Sequence, residues 1–62
     1  MVRFKFRYEI AGGHTHVRVF CGDAGRNAFG KCGDLVFRNE EWELFMAQFR
    51  STNVEFIREE TV

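Results

Sequence analysis

Val2-Arg3-Phe4-Lys5-Phe6-Arg7-Tyr8-Glu9-Ile10 alternates apolar and polar residues without a break, and Ala11-Gly12-Gly13 ends the run. His14-Thr15-His16-Val17-Arg18-Val19-Phe20-Cys21 then resumes the alternation. A period of two marks a strand with one face buried. Two glycines between such runs mark a hairpin, because both tolerate positive φ. A Gly12-Gly13 loop sets Ala11 against His14 and predicts the pairs Ile10–Thr15, Tyr8–Val17, Phe6–Val19 and Phe4–Cys21. Each apolar position of the first arm then meets a core-compatible one on the second. A slip of one residue would turn one arm's apolar set toward water.

The same register defines a second face. Glu9 opposes His16, Arg7 opposes Arg18, and Lys5 opposes Phe20. Two arginines directly opposed on antiparallel strands are mildly destabilising. Solvent, a neighbouring carboxylate or a bound anion must offset them. Phe20 is out of place on a solvent face, and Val36 and Ile57 are the candidates to join it there.

Outward from the hairpin, Gly22 to Lys31 contains three glycines with Asp23 and Asn27, and reads as a mobile loop. Within it, Gly25 to Lys31 has the spacing of a nucleotide P-loop. Cys32 stands where that motif needs Ser or Thr, and no helix pattern follows. A Gly-rich basic loop that holds an anion through backbone N–H groups, with Arg26 and Lys31 beside it, is the milder reading. Leu35-Val36-Phe37 is a short third strand, starting as early as Cys32. Asn39 offers an N-cap, and Glu40, Glu41 and Glu43 suit the positive end of a helix dipole. Trp42, Phe45, Met46 and Phe49 form one apolar stripe at i, i+3, i+4, i+7, so a helix is predicted over residues 40–50. Ser51-Thr52-Asn53 reads as a turn, 54–58 as a final strand, and 59–62 as a frayed end.

These elements predict one α+β domain over residues 1–62: two layers in the order β-β-β-α-β, with a mainly antiparallel four-stranded sheet and one helix packed on one face. A right-handed crossover makes the third and fourth strands parallel. The fourth strand joins beside the first or beside the third.

A chain of 62 residues is small for a self-sufficient core. Eight Phe with one Trp and one Tyr compensate, since each large ring buries about 150–250 Å². Oligomerisation is the other common support at this length, and a homo-oligomer is expected. Net charge is zero but unevenly placed: residues 1–38 carry seven Lys/Arg and three Asp/Glu, residues 39–62 two and six. Arg3, Lys5 and Arg7 interrupt any apolar signal core, and no run reaches the length of a membrane span. Cytoplasmic residence without membrane contact is the expectation. Two cysteines make no disulfide framework. Cys21 and Cys32 bracket the glycine-rich stretch and are expected as reduced, semi-buried thiols that an oxidant would join.

The second hairpin face supplies the candidate ligand-binding residues: Arg7, His14, His16, Arg18 and Phe20, with Arg26 and Lys31 from the loop. Phosphate suits Arg and Lys, and a base stacks on a ring. His14 and His16 share one face of a strand, but a metal needs at least one more ligand, so no metal or other cofactor is expected. Catalysis is not expected either. Ser51 is the only serine, neither histidine has a nucleophile beside it, and Glu41 and Glu43 are helix-start charges.

The runs 12–20 (Gly-Gly-His-Thr-His-Val-Arg-Val-Phe) and 33–43 (Gly-Asp-Leu-Val-Phe-Arg-Asn-Glu-Glu-Trp-Glu) resemble small proteins of phages and some bacteria. The resemblance implies an accessory protein acting in a host cytoplasm, for instance by sequestering a nucleotide signal of host defence. The leading expectation is thus a non-enzymatic binder of an anionic, nucleotide-like small molecule, at the basic sheet face or at a subunit interface. The rivals are a module or inhibitor that docks a host protein through exposed aromatic and aliphatic residues, and a weak nucleic-acid binder.

Overall fold

The computed structural model describes residues 2–59. Strands β1 (Phe4–Ala11), β2 (His14–Asp23) and β3 (Ala28–Arg38) precede helix α1 (Asn39–Gln48) and strand β4 (Val54–Arg58). The sheet order is β3-β2-β1-β4. The β1–β2 and β2–β3 pairs are antiparallel, and β4 lies parallel to β1. The α+β class stands; the sheet is mixed, with two antiparallel pairings and one parallel one. Of the two positions open to the last strand, it takes the one beside β1.

The hairpin register is the one the alternation demands, from Phe4–Cys21 through Ala11–His14. Gly12 takes φ 64°, the left-handed conformation that glycine adopts without strain. Phe6 and Tyr8 of β1 with Thr15, Val17 and Val19 of β2 face the helix. Phe37 and Phe56 extend that face on both sides.

Trp42 is the centre of the core and is 1% exposed. Its indole lies 5.1 to 6.3 Å, centroid to centroid, from the rings of Phe6, Tyr8, Phe37, Phe45 and Phe56. Such pairs add about 0.5–1.5 kcal/mol each beyond area burial. Phe45 and Met46 close over the sheet, while Phe49 stacks on Phe45 at 4.4 Å and stays half exposed.

Three expectations need correction. The predicted mobile loop is mostly strand: β2 continues to Asp23 and β3 begins at Ala28. Only a short 3₁₀ turn (Ala24–Arg26) and Asn27 remain between them, with Asn27 left-handed at φ 49°. Gly22 is required there, because a Cβ would sit 2.7 Å from the Phe29 Cα on the facing strand. Glycines that mimic loop composition here permit close strand pairing.

Second, Cys21 and Cys32 are joined in a disulfide, and their Cα atoms are 5.9 Å apart. Cys32 occupies a bulge, since Val19 pairs with Gly33 and Phe20 with Lys31. Closing a loop of that size is worth up to about 3 kcal/mol in the chain-entropy account.

Third, Asn39 does not cap the helix. It is the first helical residue, and Arg38 holds the cap position without a side-chain bond. The Asn39 amide instead ties the helix start to the hairpin. Its Nδ2 donates to the Gly12 carbonyl at 3.2 Å, and its Oδ1 accepts from the Thr15 hydroxyl at 2.9 Å. Thr15 is fully buried, so that bond satisfies a hydroxyl water cannot reach. At the other end, the Glu59 N–H donates to the Tyr8 carbonyl at 2.7 Å, which anchors Glu59. The rest of the predicted frayed end, 60–62, lies outside the described residues.

Asn39→Ala removes both bonds and leaves the Thr15 hydroxyl buried without a partner. At about 0.5–1.5 kcal/mol per bond plus that penalty, a loss of roughly 2 kcal/mol is expected. Urea denaturation checks it, and Asn39→Asp, which keeps the acceptor, should recover part of the loss.

Candidate functional site: the open face of the sheet

The helix covers one face of the sheet and leaves the other uncovered. Alternation places Lys5, Arg7 and Glu9 of β1 on that open face, with His14, His16, Arg18 and Phe20 of β2. Register adds Phe29, Lys31, Asp34, Val36 and Arg38 from β3, and Glu55 and Ile57 from β4.

The opposed arginines are resolved within the protein. The Arg18 guanidinium forms an ion pair with the Glu59 carboxylate just past β4. Arg7 turns the other way, its Cζ 5.7 Å from the centroid of the Phe20 ring. A neighbouring carboxylate and a cation–π contact thus do what a bound anion would otherwise do. Phe20 is half-buried, so it is not the exposed aromatic that alternation alone predicts.

Two hollows mark this face. One, of about 380 Å³, is lined by Glu9, His16, Arg18, Asp34, Val36 and Glu59 among others. Its charges are of both signs and partly matched. The second, of about 340 Å³, is lined by Lys5, Arg7, Phe20, Asn27 and Phe29. Here the Lys5 ammonium stands 4.3 Å from the centroid of Phe29, parallel to the Arg7–Phe20 arrangement. Among the described residues no carboxylate lines this cleft. Glu55 is the β4 register partner of Lys5, yet no ion pair within 4.0 Å joins them among the described residues.

The candidate ligand residues are therefore divided. Arg7 and Phe20 share the basic cleft. His16 and Arg18 line the mixed hollow. His14 is exposed beside the hairpin turn. Arg26 is exposed in the 3₁₀ turn, next to Asn27 of the cleft. Lys31 is the register partner of Phe20 and pairs with Asp34 at 2.9 Å. The Gly25–Lys31 segment is turn and strand, so its glycines form no phosphate cradle before a helix. The sequence pattern does not reveal Lys5, Asn27 and Phe29 as cleft residues. Phe29 sits in a stretch without alternation, and only the extended β2–β3 pairing brings it beside Lys5. No helix among the described residues is long and apolar enough to cross a membrane.

No protein-family model, curated protein or solved structure matches this chain. The comparisons thus lend no support to the resemblance to phage proteins.

Glu59→Ala should leave Arg7 and Arg18 facing each other without a counter-charge. For a partly exposed pair the cost is about 0.5–1 kcal/mol. Thermal melts should show the difference at low salt and lose most of it at high salt, because screening weakens both attraction and repulsion.

Proposed function

We propose that this chain is a small, non-enzymatic binding protein for an anionic, nucleotide-like ligand held in the basic cleft of the open face. The observation that carries the reading is the pairing of two cations with two rings around a space that no carboxylate lines among the described residues. Lys5 and Arg7 are positioned over Phe29 and Phe20, with the Asn27 side chain at the rim. Phosphate oxygens would take charge-assisted bonds from Arg7 and Lys5. A base would stack against one of the rings, with the cation shifting from the ring face to the phosphate. Arg26, exposed in the turn next to Asn27, adds positive potential beside the cleft, whereas Lys31 is already matched by Asp34. His14, His16 and Arg18 belong to this reading as a flanking surface, since Arg18 already has a carboxylate partner.

The cleft is open and shallow, which suits a binder of modest affinity better than a reaction chamber. If the phage likeness holds, the ligand would be a signalling nucleotide sequestered in the host cytoplasm. A disulfide is more at home in an oxidising compartment, so the redox state of Cys21 and Cys32 in cell extracts bears directly on that placement. The protein-docking alternative draws on Val36, which is 61% exposed on the same face.

Isothermal titration against a panel of mono-, di- and cyclic nucleotides tests the proposal. Heat with at least one member is expected. Arg7→Ala and Phe29→Ala should each weaken binding at least tenfold without changing secondary structure, and Arg18→Ala should weaken it much less. No heat with any nucleotide, together with no co-purifying absorbance at nucleic-acid wavelengths, would refute it. Binding of DNA with a steep salt dependence would move the reading to nucleic acid.

A further inference from the structure

β3 is an outer strand of eleven residues, whereas β4 at the opposite edge has five. The direction of its backbone groups follows from two bonds at the ends of the ladders. The Gly22 N–H donates to the Arg3 carbonyl at 2.9 Å, and the Asn39 N–H to the Gly13 carbonyl at 3.3 Å. Bonded and non-bonded pairs alternate along an antiparallel ladder. Counting from Gly22, the even-numbered residues of β2 bond to β1 and the odd-numbered ones face β3. Counting from Asn39, Phe37, Leu35 and Gly33 bond to Thr15, Val17 and Val19, in agreement. Asp34, Val36 and Arg38 therefore aim both N–H and C=O outward, at the free edge.

Unpaired groups along a strand edge are a template for another strand. The bulge at Cys32 and the charge of Lys31 interrupt the edge at one end, and the helix ends it after Arg38. The flat stretch is 33–38. Two of its apolar residues are uncovered, Val36 at 61% and Leu35 at 41% exposed, while Phe37 packs on the core.

We infer that a second copy of this chain adds to this edge, β3 against β3 and antiparallel, with the twofold axis at Val36. In that register Val36 meets the partner's Val36, Asp34 meets the partner's Arg38, and Arg38 meets the partner's Asp34. It is the one register in which all three outward residues of each copy pair with outward residues of the other. It also matches opposite charges, whereas centring on Asp34 would oppose two carboxylates. On the helix side Leu35 meets the partner's Phe37. The result is a continuous eight-stranded sheet with closed twofold symmetry. The mixed-charge hollow lined by Asp34 and Val36 in each copy then lies beside the axis on one open face. The contact is confined to residues 33–38 of one strand edge, and small interfaces belong to transient complexes, so the dimer forms and dissociates with concentration.

Sedimentation velocity of the full chain, from low micromolar to millimolar, tests this. The mass should rise from 7.3 kDa toward twice that value. Val36→Lys should raise the dissociation constant at least tenfold while circular dichroism stays unchanged. Asp34→Arg and Arg38→Asp should each be monomeric alone and form a heterodimer when mixed, which also guards against a variant that merely misfolds. A chain monomeric at every concentration, a Val36→Lys dimer as tight as the parent, a mixture that fails to associate, or open-ended growth beyond the dimer would each overturn the proposal.

Discussion

The register of the Gly12-Gly13 hairpin is the constraint on which the rest depends. Side chains alternate along a strand, so one register decides the identity of both faces. With Phe6 opposite Val19 and Tyr8 opposite Val17, the apolar set is gathered on one side. That side is wide enough for a single helix to cover, and Trp42 fills it. The same register opposes Arg7 to Arg18, and it sets up the contest that Glu59 and Phe20 then resolve. The core and the candidate site are two consequences of one alignment.

Asn39 carries that alignment into the second layer. Its amide bonds Gly12 at the turn and Thr15 in the buried row, so the helix starts over the hairpin end and runs back across the sheet. A helix placed in this way brings Trp42 within reach of five rings. The chain must then cross from β3 at one edge to β4 at the other. Placing β4 beside β1 supplies Phe56 to the core, and the chain just beyond it supplies Glu59 to the open face.

Much of this is legible in the order of the amino acids. Strict alternation around two glycines makes the β1–β2 pairs readable residue by residue, and the Trp42–Phe45–Met46–Phe49 stripe marks the helix. What escapes a local reading is decided at long range. Asn39 has the composition of a cap, but its partner Thr15 lies 24 residues away and cannot be seen in a local window. Gly22 to Lys31 looks like a loop because glycine carries no side chain to reveal alternation. Its strand character comes from pairing across β2–β3 and from the Cys21–Cys32 link. Phe29 is hidden as a site residue for the same reason. Arg7 and Phe20 are readable because they sit in the hairpin itself.

The central functional claim is that the two cation-covered rings at one end of the open face form the ligand site. Backbone and side-chain NMR shifts during titration with the tightest-binding nucleotide test it most directly. The account predicts changes concentrated at Lys5, Arg7, Phe20, Asn27 and Phe29, with the hairpin turn at His14 and the helix largely still. Changes centred on His14 and His16, or none at saturating nucleotide, would contradict it.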